Sequence, residues 1–116
     1  MLEVGNHGLS HEEERSHFAL WSFAKAPLII GCDLNTITDE SLAILRNKNL
    51  IAINQDPLGN QAVCVQGCGN NQIEIFGALQ SHDEGFYGLV AVNWDDYDSH
   101  PLSIDFVKLG AAISEA

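Results

Sequence analysis

Basic side chains are scarce in this sequence. Its 116 residues include 5 lysines and arginines against 16 aspartates and glutamates, a formal net charge of -11. The cations Arg15, Lys25, Arg46, Lys48 and Lys108 are scattered, so no basic stripe exists to neutralise a phosphate backbone, and nucleic acid is excluded as a partner. Long apolar runs are missing as well. The longest, Ala26 to Gly31, falls far short of the ~20 residues that span a bilayer, which argues against a membrane partner. The N-terminus lacks the basic-then-apolar order of a secretory signal, so no signal peptide is expected in this chain. There is no internal repeat, no Gly-rich phosphate loop, no G-x-S-x-G nucleophile turn and no N-x-[ST] acceptor. What remains is a composition typical of a globular chain, with 46% apolar residues.

Cysteine is limited to Cys32, Cys64 and Cys68, an odd number that permits one bridge and one free thiol. Cys64 and Cys68, flanked by Gly67 and Gly69, have two readings. One is a small disulfide loop in an oxidising compartment; the other is half of a four-ligand zinc site whose remaining ligands are not evident. Cys32 follows an apolar run and reads as a small buried hydrophobe.

The pattern along the chain is helical first and stranded later. Ser10 and Glu13 have the spacing of a capping box, which predicts a helix from about 11 to 25. Phe18, Trp21 and Ala24, with Leu20 beside them, recur at helical spacing, and Glu12, Glu13 and Glu14 read as a solvated first turn that suits the helix dipole. Pro27 stops the helix. Leu28, Ile29 and Ile30 then read as a short strand buried on both faces, as in parallel sheets. Thr38 is a second N-cap, followed by Asp39 and Glu40 and by Leu42 and Leu45 on one face, with Asn47 as the end. An apolar stretch, Leu50 to Ile53, precedes a turn at Asp56-Pro57-Leu58-Gly59. This order predicts the end of an α/β domain with parallel strands.

From Gln61 onward four runs bounded by turn residues, Ala62–Gln66, Gln72–Leu79, Tyr87–Trp94 and Leu102–Val107, predict antiparallel strands. Ile73, Ile75 and Gly77 alternate with Glu74 and Phe76, so one face is buried. Leu89, Ala91 and Asn93 alternate in the same way with Val90, Val92 and Trp94. Asp95, Asp96 and Asp98 form an acidic turn without the spacing of a calcium loop. His7, His11 and His17 lie close in sequence, but His7 precedes the helix cap and does not share a face with the others, so no metal site is expected.

Three segments together carry a resemblance. They are Met1-Leu2-Glu3-Val4-Gly5-Asn6, the stretch His17-Phe18-Ala19-Leu20-Trp21 continuing to Gly31-Cys32-Asp33-Leu34, and Ile51-Ala52-Ile53-Asn54-Gln55-Asp56-Pro57-Leu58-Gly59. In this order and spacing they resemble the melibiase-type α-galactosidases of glycoside hydrolase family 27. The match is close to about residue 60 and looser beyond, where Gly88 to Trp94 is similar to a strand of the family's C-terminal domain. The resemblance implies an α/β plus all-β architecture. Residues 1-57 are the last two units of a (β/α)8 TIM barrel, and residues 58-116 are part of an antiparallel β-sandwich domain. Leu28 to Gly31 becomes barrel strand eight and Thr38 to Asn54 the closing helical region.

The implied activity is release of terminal α-linked galactose with retention, without a cofactor. Retention requires two carboxylates about 5 Å apart. In the family both are aspartates, which follow barrel strands four and six, and neither is matched here, so no catalytic residue is assigned and the chain alone is expected to be inactive. Of the family's Asp-Met pair at the galactose pocket only Met1 is matched, as a substrate-binding residue. The parent is implied to be secreted or lysosome-type. Made alone, the chain is expected to expose Phe18, Trp21 and Leu28 to Ile30. Two alternatives stand beside this reading: an α-N-acetylgalactosaminidase of the same family, and a non-catalytic sugar-binding module using Phe76, Phe86, Tyr87 and Trp94.

Overall fold

The computed structural model describes residues 1–81 and 87–114, which form two compact units, Met1–Gln55 and Asp56–Ala116. Phe86 lies outside the described residues. In the first unit, helix α1 spans His11–Phe23 and opens with the expected capping box: Ser10 Oγ accepts the Glu13 N–H and the Glu13 carboxylate accepts the Ser10 N–H. Its end comes before Pro27. Lys25 takes a positive φ of 57°, and the N–H groups of Lys25 and Ala26 return to the carbonyls of Ser22 and Trp21. This is a Schellman closure with lysine where glycine is usual. Two further side chains compensate: Lys25 Nζ donates to the Ile53 carbonyl, and Asn54 Nδ2 donates to the Ala26 carbonyl at 2.8 Å.

Helix α2 spans Asp39–Leu45 and helix α3 spans Lys48–Asn54. Thr38 caps the first, accepting the Ser41 N–H at 3.1 Å. Asn47 separates the two by capping the second, where its Oδ1 accepts the N–H groups of Asn49 and Leu50. The Leu50–Ile53 stretch is therefore helical. Asp56-Pro57-Leu58-Gly59 closes as a turn, with the Gly59 N–H on the Asp56 carbonyl at 3.0 Å and Gly59 at a φ of +66°.

Leu2 and Ile30 pair in parallel, with the Leu2 N–H on the Ile29 carbonyl at 2.8 Å. Gly31 makes this approach feasible, because a Cβ there would lie 2.6 Å from the Leu2 carbonyl oxygen. The core of the unit gathers Leu2, Val4, Phe18 and Ile44, with Trp21, Leu28, Leu45, Leu50 and Ile51 packed against them. Two expectations need correction. Ile29 and Ile30 are not buried on both faces but 54% and 46% exposed, since the single bridge to Leu2 covers one edge and Leu28 alone of the run packs on the core. Phe18, expected to be exposed, is fully buried by Leu2, Val4 and Ile44.

In the second unit β1 (Val63–Gln66), β2 (Ile73–Leu79) and β3 (Tyr87–Asn93) form an antiparallel sheet in the order β1-β2-β3. Ile75 faces Ala91, and Val63 faces Gly77, with a bulge between Cys64 and Gln66. The Ile73, Ile75 and Gly77 face is covered by helix α4, Phe106–Ser114, through Leu109 and Ile113. Gly77 makes room for that helix: a Cβ there would meet Ile113 Cδ1 at 2.7 Å and Leu89 Cδ2 at 2.9 Å.

Helix α4 overturns the strand expected at Leu102–Val107. Asp105 Oδ1 accepts the N–H groups of Val107 and Lys108 at 3.1 and 3.2 Å, and its carbonyl accepts that of Leu109 at 3.0 Å. That is an N-cap, and it commits the backbone to a helix. Leu109 and Ile113 are buried, with Ile104 partly buried beside them, while Phe106 and Val107 are exposed.

Candidate functional site

The segment from Met1 to Asn6 lies beside the Ile29–Cys32 stretch. Met1 is 74% exposed, and its Cβ lies 3.3 Å from the position a Gly31 Cβ would occupy. Leu2 and Val4 are fully buried beneath it. Gly5 has a φ of +88°, and a Cβ there would sit 2.9 Å from Cys32 Sγ, so both its conformation and its packing demand glycine. Cys32 is a free thiol, half-buried against this turn.

Glu14 corrects the solvated first turn. Its side chain is on the same stripe as Phe18 and Ser22, and the residue is only 2% exposed. Oε1 accepts the Gly5 N–H at 2.7 Å, and Oε2 accepts the Ser41 hydroxyl at 2.7 Å and lies 3.2 Å from His11 Nδ1. Burial raises the pKa of this carboxyl, but the Gly5 N–H, the Ser41 hydroxyl and His11 outweigh it, and the net displacement is downward from 4.5. Glu14 is ionised and ties the N-terminal segment, α1 and α2 together. The available sequence signal was its spacing, four residues before Phe18 and eight before Ser22, a stripe position occupied by a polar residue.

The other acids hold turns. Asp33 Oδ1 accepts the backbone and side-chain N–H groups of Asn35 at 2.9 and 3.0 Å, bracing the loop after Ile30. Asp56 Oδ2 accepts the N–H and hydroxyl of Ser81. Asp95 Oδ1 accepts the N–H groups of Tyr97 and Asp98, and its Oδ2 lies 2.8 Å from His100 Nε2. The Tyr97 N–H leads in holding the Asp95 pKa down at about 2, with His100 and the Asp98 N–H adding to it. His11 and His17 serve different partners, Glu14 and the Glu3 N–H. No group of three or more His, Cys, Asp or Glu side chains is arranged to hold a metal among the described residues.

In the second unit Cys64 and Cys68 are bridged, with Cα atoms 5.9 Å apart. The loop they close needs glycine at 67, where φ is +70° and a Cβ would lie 2.1 Å from the Ile73 carbonyl oxygen. Glu74 links this loop to β3: Oε1 accepts the Gly69 N–H and Oε2 the Trp94 indole N–H, both at 2.7 Å. Trp94 is half-exposed with its indole N–H thus engaged, and Phe76 and Tyr87 are partly buried. No helix among the described residues is long and apolar enough to cross a membrane.

Comparison with known proteins bears on these features. The family profile Melibiase_2, described as alpha galactosidase A, matches residues 1–56. Alpha-galactosidase 3 of Arabidopsis thaliana is 53% identical over 74 residues, which cover 64% of this chain and 17% of that protein. A probable alpha-galactosidase of Dictyostelium discoideum is 42% identical over 107 residues, 92% of this chain and 26% of its own length. The crystal structure of alpha-galactosidase I from Mortierella vinacea aligns with a TM-score of 0.72 at 34% identity, across 80% of this chain and 22% of that one. Residues 1–56 of the chain belong to the melibiase-type α-galactosidase family, glycoside hydrolase family 27. The chain spans 17% to 26% of the length of these relatives.

Proposed function

We propose that this chain is part of a retaining α-galactosidase that hydrolyses terminal α-linked galactose from oligosaccharides, glycolipids or glycoproteins. Residues 1-57 supply the last two strand-helix units of its (β/α)8 barrel, and residues 58-116 part of an antiparallel β-sandwich domain. The match of residues 1–56 to the family carries this reading. The parallel pairing of Leu2 with Ile30 supports it, since adjacent strands of such a barrel are parallel. The Cys64–Cys68 bridge supports a secreted or lysosome-type parent.

The chemistry needs a nucleophilic carboxylate and an acid/base carboxylate roughly 5 Å apart across the anomeric carbon. Both belong to parts of the enzyme outside this chain. Glu14, Asp33, Glu74 and Asp95 support that assignment, because each has its carboxylate engaged by turn or helix groups. Met1 contributes the pocket wall, its thioether packing on the apolar face of galactose with no proton transferred. The reaction uses no cofactor.

The purified chain is expected to release no chromophore from a p-nitrophenyl α-galactoside. Turnover that coelutes with the chain and disappears on substituting one of its own carboxylates would overturn the assignment.

A further inference from the structure

Two side chains of α1 accept main-chain N–H groups of the Met1–Gly5 segment. The Glu3 N–H is donated to His17 Nε2 at 3.0 Å and the Gly5 N–H to Glu14 Oε1 at 2.7 Å. Glu14 and His17 are three residues apart on one helix, so they share a face. The rest of the segment is fixed by packing: Leu2 and Val4 are fully buried, and Gly5 is pressed against Cys32.

We propose that Glu14 and His17 are positioning residues for the segment Met1–Gly5, each setting it through one main-chain N–H. The idea rests on the function proposed above only in giving Met1 a sugar to meet; the positioning stands on the hydrogen bonds. Both acceptors are titratable, and each fails in its own way. Imidazole accepts through Nε2 only while neutral, with its proton on Nδ1; a second proton turns Nε2 into a donor facing the Glu3 N–H. A protonated Glu14 loses the charge that strengthens its bond to Gly5. The titratable groups around the pair are His11, 3.2 Å from Glu14 Oε2, and the Glu3 carboxylate, which accepts Asn6 Nδ2 at 2.9 Å. From α2, Ser41 meets Glu14, and the Trp21 ring lies 4.9 Å from that of His17.

Amide exchange of the full chain, followed by NMR from neutral to acidic pH, tests the proposal. Glu3 protection should fall roughly tenfold in His17→Leu, because a bond of ordinary strength is lost, while the Val4 and Phe18 amides stay protected. In His17→Gln, which keeps a side-chain acceptor, Glu3 protection should persist. In Glu14→Gln the Gly5 N–H should remain bonded but lose its acid titration. Glu3 and Gly5 amides indifferent to these changes would overturn the proposal. Should His17→Leu also lose core protection, the His17→Gln comparison still decides. A separate arm follows the Met1 methyl in a family enzyme carrying residues 1–56 of this chain. If galactose leaves that methyl unmoved while the amide pattern holds, the sugar-pocket reading falls and the positioning stands.

Discussion

Glu14 is the polar residue on which the first unit most depends. It is buried and ionised, and its partners come from the N-terminal turn and α2. Replacing it with alanine leaves the Gly5 N–H without its acceptor, so Glu14→Ala should cost about 2–4 kcal/mol in chemical denaturation, and Glu14→Gln less. The pH dependence follows from the sign. A carboxyl lowered on folding contributes stability above its ordinary 4.5, and loses it as pH falls through the depressed value. Asp95 acts in the same sense at the surface: the support it gives its turn is complete above 3.8 and lost as pH falls toward about 2. Carbon shifts of both carboxyls across an acid titration would show the two windows; a Glu14 midpoint above 4.5 would contradict its described partners. The Ser10 and Glu13 box could be read from the sequence because capping chemistry is local. For Glu14 the spacing to Phe18 and Ser22 marks a buried stripe position, but its partners Gly5 and Ser41 lie 9 and 27 residues away and could not be read from the first turn.

The same division between local and distant causes holds for the elements. The caps at Thr38 and the turn at Asp56 to Gly59 were legible, and so was the alternation in β2. The stretch Leu102–Val107 alternated like a strand, but Asp105 caps a helix whose burial comes from Leu109 and Ile113, beyond the alternating run. Leu28–Ile30 had the composition of a doubly covered strand, and composition does not say what covers it. Helix α4 yields a direct test. Gly110 is helical, and among the described residues a Cβ there would touch only the Tyr87 hydroxyl at 3.9 Å. Gly110→Ala should therefore stabilise the second unit by about 0.5–1 kcal/mol, read as a raised denaturation midpoint. Gly31→Ala should do the opposite in the first unit, costing about 1–3 kcal/mol, because its Cβ would strike the Leu2 carbonyl. The Cys64–Cys68 bridge closes a loop so short that reducing it should cost only about 2 kcal/mol.

For the whole molecule the sequence gives the family more readily than the exposed surface. The segments that carry the family resemblance include both members of the Leu2 and Ile30 bridge, yet Met1, Ile29, Ile30 and Leu34 are all exposed. Apolar residues left open beside a short parallel pairing promote association. Sedimentation velocity on the isolated chain should therefore show concentration-dependent oligomers, and a sharp monomer at all concentrations would contradict this expectation. The proposed membership of a sugar-cleaving barrel is tested most directly by grafting residues 1–56 onto the Arabidopsis relative in place of its matching stretch. The hybrid should hydrolyse a chromogenic α-galactoside with kcat/KM within about tenfold of the recipient and release the α-anomer first. A folded, soluble hybrid that gave no turnover, or gave the β-anomer first, would contradict the account.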